Sequence, residues 1–130
     1  MIPRGIYLAG PIENDDDPRN WREDLKERHP NVPFVDPMEW QSEWESDPRL
    51  VIERELAVVR NNPVLVANYG SDAPETTGTD HEIAVALENE QPVGIVPAGD
   101  LPEWTDHRPV QVFSSFDAAV KILAGKLAVM

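Results

Sequence analysis

Two glutamates have sequence surroundings that suit chemistry. Glu55 has Val51, Ile52, Val58 and Val59 at three and four positions on either side. On a helix those residues share its face, while Glu53, Arg54, Ala57 and Arg60 fall on the other. A carboxyl on an apolar stripe points inward, and buried carboxyls are rare unless paired or functional. Burial raises the pKa and suits the group to donate a proton at neutral pH. The competing reading is a glutamate tied to a buried arginine or to backbone amides, an arrangement that imitates an active site.

Glu82 follows Thr76-Thr77-Gly78-Thr79, at the start of a helix expected over residues 79–90. Amides ahead of a helix bind anions or ligand oxygens, and the helix end favours an ionised carboxylate in its first turn. On that reading Glu82 is a nucleophile with a low pKa. The competing reading is capping. Thr79-Asp80-His81-Glu82 fits the Thr-x-x-Glu box, and spacing alone favours it.

Other residues carry weaker signals. Tyr7 and Gly10 close the first apolar run, where the glycine either admits a ligand close to the backbone or simply makes the turn. Trp40 and Trp44, four apart, either stack on a flat base or cover a sheet edge or subunit contact. Asp15-Asp16-Asp17 lacks the alternating spacing of a calcium loop and reads as a solvated acidic segment. His29, His81 and His107 show no ligand spacing, and cysteine is absent. Neither a G-x-G-x-x-G nor a P-loop pattern occurs. No cofactor or metal is expected.

The elements that must position these residues alternate along the chain. Short apolar runs at 6–9, 32–35, 64–67, 93–96 and 110–113 read as strands. Segments 18–28, 48–61, 79–90 and 116–127 read as helices, with Asp17 and Pro18 suited to begin the first. Continuous apolar strands alternating with helices imply right-handed crossovers and a parallel sheet covered on both faces. The expectation is an α/β, flavodoxin-like or Rossmann-like three-layer sandwich over residues 1–130, one domain, with strand order 2-1-3-4-5. Ligands of such sheets bind where strand order reverses, between strands 1 and 3. The loops leaving those strands span Gly10–Asp17 and Asn68–Gly78.

Composition narrows the function classes. In 130 residues, Asp and Glu number 24 against 11 Lys and Arg, a net charge of −13. Such a surface repels nucleic acid and anionic membranes. It fits either an ordinary acidic protein or one adapted to high salt. No apolar run approaches the roughly 18 residues of a membrane span, and no leader pattern precedes the first strand. A cytoplasmic location is expected.

The ordered set of segments resembles the nucleoside 2-deoxyribosyltransferase family, which includes nucleotide N-glycosidases. The matching pieces are Ile6-Tyr7-Leu8-Ala9-Gly10-Pro11-Ile12, Trp21-Arg22, Val35-Asp36-Pro37, Glu55-Leu56, Val64-Leu65-Val66-Ala67-Asn68, Gly78-Thr79-Asp80-His81-Glu82 with Ala86, and Gln91-Pro92-Val93. The resemblance spans about residues 5–96 and implies roles. Glu82 matches the family's nucleophile, which forms a glycosyl-enzyme intermediate. Tyr7 matches a tyrosine that positions it. Glu55 falls where members usually carry an aspartate linked to proton transfer at the base. Thr76 falls where hydrolytic members hold a 5′-phosphate with serine and transferases carry aspartate. Gly10 and Ile12 lie on the loop lining the sugar or phosphate, and Trp40, Asn68 and Gly78 complete the expected substrate contacts. Asn62-Pro63 replaces a common aspartate ahead of strand 3, a departure expected to affect packing alone.

The resemblance thus implies cleavage of the N-glycosidic bond of a nucleoside or (deoxy)nucleoside 5′-monophosphate, with water the favoured acceptor. Base exchange by a transferase is the alternative. It also implies a homodimer or higher oligomer. A non-catalytic nucleotide sensor or a receiver-like structural domain on the same scaffold stays open, because fold does not dictate function.

Overall fold

The computed structural model describes residues 5–10, 20–39, 48–69, 77–97 and 100–128. Its strands are β1 (Ile6–Ala9), β2 (Phe34–Val35), β3 (Val64–Tyr69), β4 (Val93–Pro97) and β5 (Gln111–Val112). Its helices are α1 (Asn20–Arg28), α2 (Pro48–Asn61), α3 (Thr77–Glu88) and α4 (Phe116–Ala128), with 3₁₀ turns at Pro37–Glu39 and Glu103–His107. All five strands pair in parallel in the order β2-β1-β3-β4-β5. This is the expected flavodoxin-like α/β architecture, and strand order reverses beside β1 as anticipated. None of the described helices is long and apolar enough to cross a membrane.

Strand alternation sorts the core into two layers. Ile6 and Leu8 of β1 and Val64 and Val66 of β3 pack with Leu25 of α1 and Ala119, Val120 and Leu123 of α4. Tyr7 and Ala9 of β1 and Leu65, Ala67 and Tyr69 of β3 turn the other way, onto Val58 and Val59 of α2 and Ile83 and Ala86 of α3. Burying both faces explains why the strands read as unbroken apolar runs.

Several boundaries differ from the sequence expectation, each for a local reason. β2 begins two residues late, because the Val32 amide closes a turn onto the His29 carbonyl at 3.1 Å. β3 runs two residues further, because Asn68 and Tyr69 find partners in Val96 and Pro97 of β4. β5 is two residues long and exposed, as an edge strand can be. α3 ends at Glu88, two residues early. Glu90 has φ 58°, its amide bonds the Leu87 carbonyl at 3.0 Å, and the Gln91 amide bonds the Ala86 carbonyl at 3.0 Å. These are the paired bonds of a Schellman cap, here with glutamate in the left-handed position usually given to glycine.

Side-chain ties fix the layers to one another. Asn62, buried at 1% exposure, accepts from the Gly5 amide at 2.6 Å and donates to the Val58 carbonyl at 2.6 Å. It joins the start of β1 to the end of α2. Trp21 of α1 stacks on Phe116 of α4 with ring centroids 5.0 Å apart. Asp117 of α4 pairs with Arg28, and its Oδ1 lies 2.7 Å from His29 Nε2.

Candidate active site

Tyr7, Glu55 and Glu82 reach the site from three elements on one face of the sheet: β1, α2 and α3. On α2, Val58 and Val59 are buried while Glu53, Arg54 and Arg60 are exposed, so Glu55 does lie on the apolar side. On β1, alternation turns Tyr7 toward α2 and α3. Among the described residues, buried side-chain polar atoms without a hydrogen-bond partner are Tyr7 Oη, Glu55 Oε1, Glu82 Oε2, Trp21 Nε1 and Gln91 Oε1. Three of these five belong to this one cluster. Unpaired buried polar atoms are costly, and their concentration here makes this cluster the candidate site.

Glu82 differs from its sequence expectation in two ways. Because α3 begins at Thr77, Glu82 is the sixth helical residue and lies in the second turn. Thr79, at 2% exposure, is inside the helix rather than at its cap, so Thr79 and Glu82 do not form a capping box. The pKa is also raised, not lowered. Burial pushes the Glu82 carboxyl up to about 8; contact with Tyr7 and the positive charge of Arg22 oppose this, and the nearby Glu55 carboxyl adds to it. The helix-end field fades within the first turn, so desolvation wins at this position. Glu82 keeps part of its surface, yet Oε2 itself is buried. The Tyr7 hydroxyl interacts with Glu82 but falls short of hydrogen-bond geometry, leaving both atoms available to a third group.

Glu55 behaves as its apolar stripe implies. Burial raises its pKa above the ordinary carboxyl value, and Arg22 pulls it partly back. Tyr7 is raised well above the usual phenol value, first by burial and then by the charges of Glu82 and Glu55. The two carboxyls therefore sit in a common field and both hold their protons more tightly than in water.

A second group lies behind this cluster and was not singled out from the sequence as a site element. Arg22 is fully buried. Its Nε and Nη2 lie 3.4 Å from the Leu8 carbonyl, and Nη2 is 3.3 Å from the Gly10 carbonyl. Its Nε is 3.6 Å from Asp36 Oδ1, and its guanidinium carbon lies 4.5 Å from the centroid of the Trp21 ring. Lys26 bonds the other Asp36 oxygen at 2.8 Å and Glu39 at 2.8 Å. The available signal was an arginine between Trp21 and Leu25 on an otherwise apolar helix face.

The expected substrate-contact residues divide. Gly10 stands where a Cβ would come 2.8 Å from Trp21 Cζ2 and 3.2 Å from Asn68 Cβ, so β1, α1 and β3 converge on it. Asn68 is half-buried near the end of β3. Gly78 is the second residue of α3. Ile12, Trp40 and Thr76 lie outside the described residues. Tyr69, the last residue of β3, donates a 2.6 Å hydrogen bond to Asp80 in the first turn of α3.

Among solved structures, the chain matches a 2-deoxyribosyltransferase from the psychrotolerant bacterium Bacillus psychrosaccharolyticus, characterised as a suitable biocatalyst for the synthesis of antiviral and antitumoral nucleosides. The match covers 89% of each chain with a TM-score of 0.70 at 17% identity. The chain has the fold of that enzyme. No protein-family model matches the sequence, and no curated protein does. The likeness is therefore one of architecture, spread over nearly the whole of both chains.

Proposed function

We propose that the chain cleaves the N-glycosidic bond of a nucleoside or (deoxy)nucleoside 5′-monophosphate, with Glu82 as nucleophile, Glu55 as acid and base, and water as acceptor. The observation that carries this reading is the meeting of Tyr7, Glu55 and Glu82, each with a buried unpaired oxygen, in a chain with the 2-deoxyribosyltransferase fold. Two neighbouring carboxyls, one ionised and one protonated, are what retaining glycosyl transfer requires.

The Glu82 carboxylate attacks the anomeric carbon while the carbon–nitrogen bond breaks. The bonding electrons leave with the base, which takes the Glu55 proton. Glu55, now a carboxylate, removes a proton from water, and the hydroxyl displaces Glu82 from the sugar. Both carboxyls return to their starting state. The reactive form holds one proton between the pair, on Glu55. Burial raises both carboxyls, so a second proton at low pH and loss of the shared proton at high pH each lower turnover, and the pH profile is bell-shaped.

Neutral Thr76, in place of the aspartate typical of transferases, favours a phosphate-bearing substrate and water as acceptor. The likeness to a 2-deoxyribosyltransferase favours base exchange as the second reading. A product assay with a deoxynucleoside monophosphate, with and without a free acceptor base, separates them. The hydrolase releases base and sugar phosphate in both cases. Exchange indifferent to a 5′-phosphate selects the transferase. Glu82→Ala lowers turnover at least about a thousandfold, and Glu55→Gln lowers it about 10²- to 10⁴-fold. Full activity in Glu82→Ala would exclude this mechanism. If the wild type binds a nucleotide and turns none over, the chain is a sensor.

A further inference from the structure

Partway along β1 the sheet changes its means of holding that strand. Ile6 and Tyr7 pair with both β2 and β3, whereas Leu8 and Ala9 pair with β3. The Ile6 amide bonds the Pro33 carbonyl at 2.9 Å, so the backbone groups of Ile6 face β2. Leu8, two residues on, faces the same side. In this register the donor to the Leu8 carbonyl would be the amide of residue 37. Residue 37 is proline, which has no N–H. A side chain takes its place: Arg22 Nη2 lies 3.4 Å from the Leu8 carbonyl and 3.3 Å from that of Gly10.

A buried guanidinium needs a counter-charge. Asp36, at 1% exposure, supplies it from just past β2, with Oδ1 3.6 Å from Arg22 Nε. Its Oδ2 accepts a 2.8 Å bond from Lys26, about one turn further along α1, and Lys26 also reaches Glu39 at 2.8 Å. The Glu39 amide closes the 3₁₀ turn onto the Asp36 carbonyl at 3.1 Å. One carboxylate thus joins α1 to the end of β1 and to the turn after β2. In sequence, Gly10 leads toward Ile12 and Glu39 leads into Trp40, both expected substrate contacts.

We propose that Asp36 is a positioning residue for the substrate: through Arg22 it holds the Gly10 carbonyl where β2 has ended, and through Lys26 it holds the turn that precedes Trp40. The proposal rests on the nucleotide-cleaving reading given above. Tyr7 lies within the paired part of β1, opposite Val35 and Leu65, so its placement does not depend on Asp36. Loss of the Asp36 charge therefore weakens substrate binding more than it slows chemistry. Asp36→Asn keeps the side-chain shape and removes that charge. Its KM is expected to rise about tenfold while kcat stays within about threefold, the pattern of lost uniform binding.

Gly10-Pro11 is the only glycine–proline pair in the chain. Full-length protein with 13C at the glycine carbonyls and 15N at proline therefore gives a single carbonyl–nitrogen correlation, that of the Gly10 carbonyl. The carbonyl signal is expected to move upfield in Asp36→Asn and in Arg22→Met, as its hydrogen bond is lost. KM and kcat are measured in the same variants with whichever common deoxynucleoside 5′-monophosphate the wild type binds best. A moved signal together with a raised KM supports the proposal. An unmoved signal or an unchanged KM in folded Asp36→Asn overturns it, and a lower melting temperature alone is what a purely structural role gives. Should either variant not fold, Arg22→Lys decides in its place. It keeps the charge without the planar fork, so both the signal and KM must still move. A wild type that binds a nucleotide without turning it over defeats the glycosidase reading alone, and dissociation constants then replace KM in the same comparison. A wild type that binds none overturns both.

Discussion

The Tyr69 hydroxyl donates a 2.6 Å hydrogen bond to Asp80 Oδ1, joining the last residue of β3 to the first turn of α3. Glu82 follows two residues later, so this bond helps set where the nucleophile candidate stands. A hydrogen bond to a carboxylate contributes about 1.5–3 kcal/mol when well formed. Tyr69→Phe is expected to lose about 1.5 kcal/mol, read as a lower urea midpoint with an unchanged slope. An unchanged midpoint would show that the bond contributes nothing to the fold.

Glu82 makes stability depend on pH with a definite sign. Its pKa rises from 4.5 to about 8 on folding. The unfolded chain therefore loses its proton first. The contribution of Glu82 is fully present below pH 4.5 and is lost progressively as pH rises to about 8. Glu82→Gln removes the titration. The variant should gain stability relative to wild type between pH 5 and 8, by up to a few kcal/mol. Denaturation series at both pH values give the difference directly, and a difference that does not change with pH would contradict the burial of this carboxyl.

Gly10 admits no side chain without movement. An added Cβ would lie 2.8 Å from Trp21 Cζ2, and that ring is stacked on Phe116 rather than free to swing. Gly10→Ala is expected to cost about 1–3 kcal/mol, the usual range for overpacking. Substrate affinity should fall as well, because the end of β1 must shift. Thermal melts and a nucleotide titration test both. A variant with wild-type melting and binding would show that the convergence at Gly10 is loose.

Glu90 occupies a left-handed backbone position at the end of α3, with φ 58°. That conformation costs a non-glycine residue about 1–2 kcal/mol. Glu90→Gly should therefore raise stability by about 0.5–1 kcal/mol, even though glycine also loosens the unfolded chain. The substituted residue is exposed and lies just past the end of α3, about two turns beyond Glu82, so turnover should stay at the wild-type level. A drop in melting temperature would reject the cap assignment.

The net charge of −13 predicts a response to salt. Screening reduces repulsion among exposed acidic side chains, so the melting temperature should climb from low to molar KCl. A flat or falling curve would mean that self-repulsion is not a significant burden.

The fold was legible in the sequence because its signal is local. Short unbroken apolar runs such as Ile6–Ala9 and Val64–Ala67 fit strands covered on both faces, and their alternation with helices leaves few topologies. The stripe of Val58 and Val59 likewise marked Glu55 as inward-facing before any coordinates. The charge state of Glu82 was not legible. It depends on where α3 begins, and a shift of two residues carried Glu82 out of the first turn and into a buried contact with Tyr7. Nor were the contacts of Arg22 visible, since its partners Leu8, Gly10 and Asp36 come from other elements. Periodicity fixes which face a residue takes. Desolvation and charge at close range arise only when separate elements meet, and that meeting is what the tertiary structure decides.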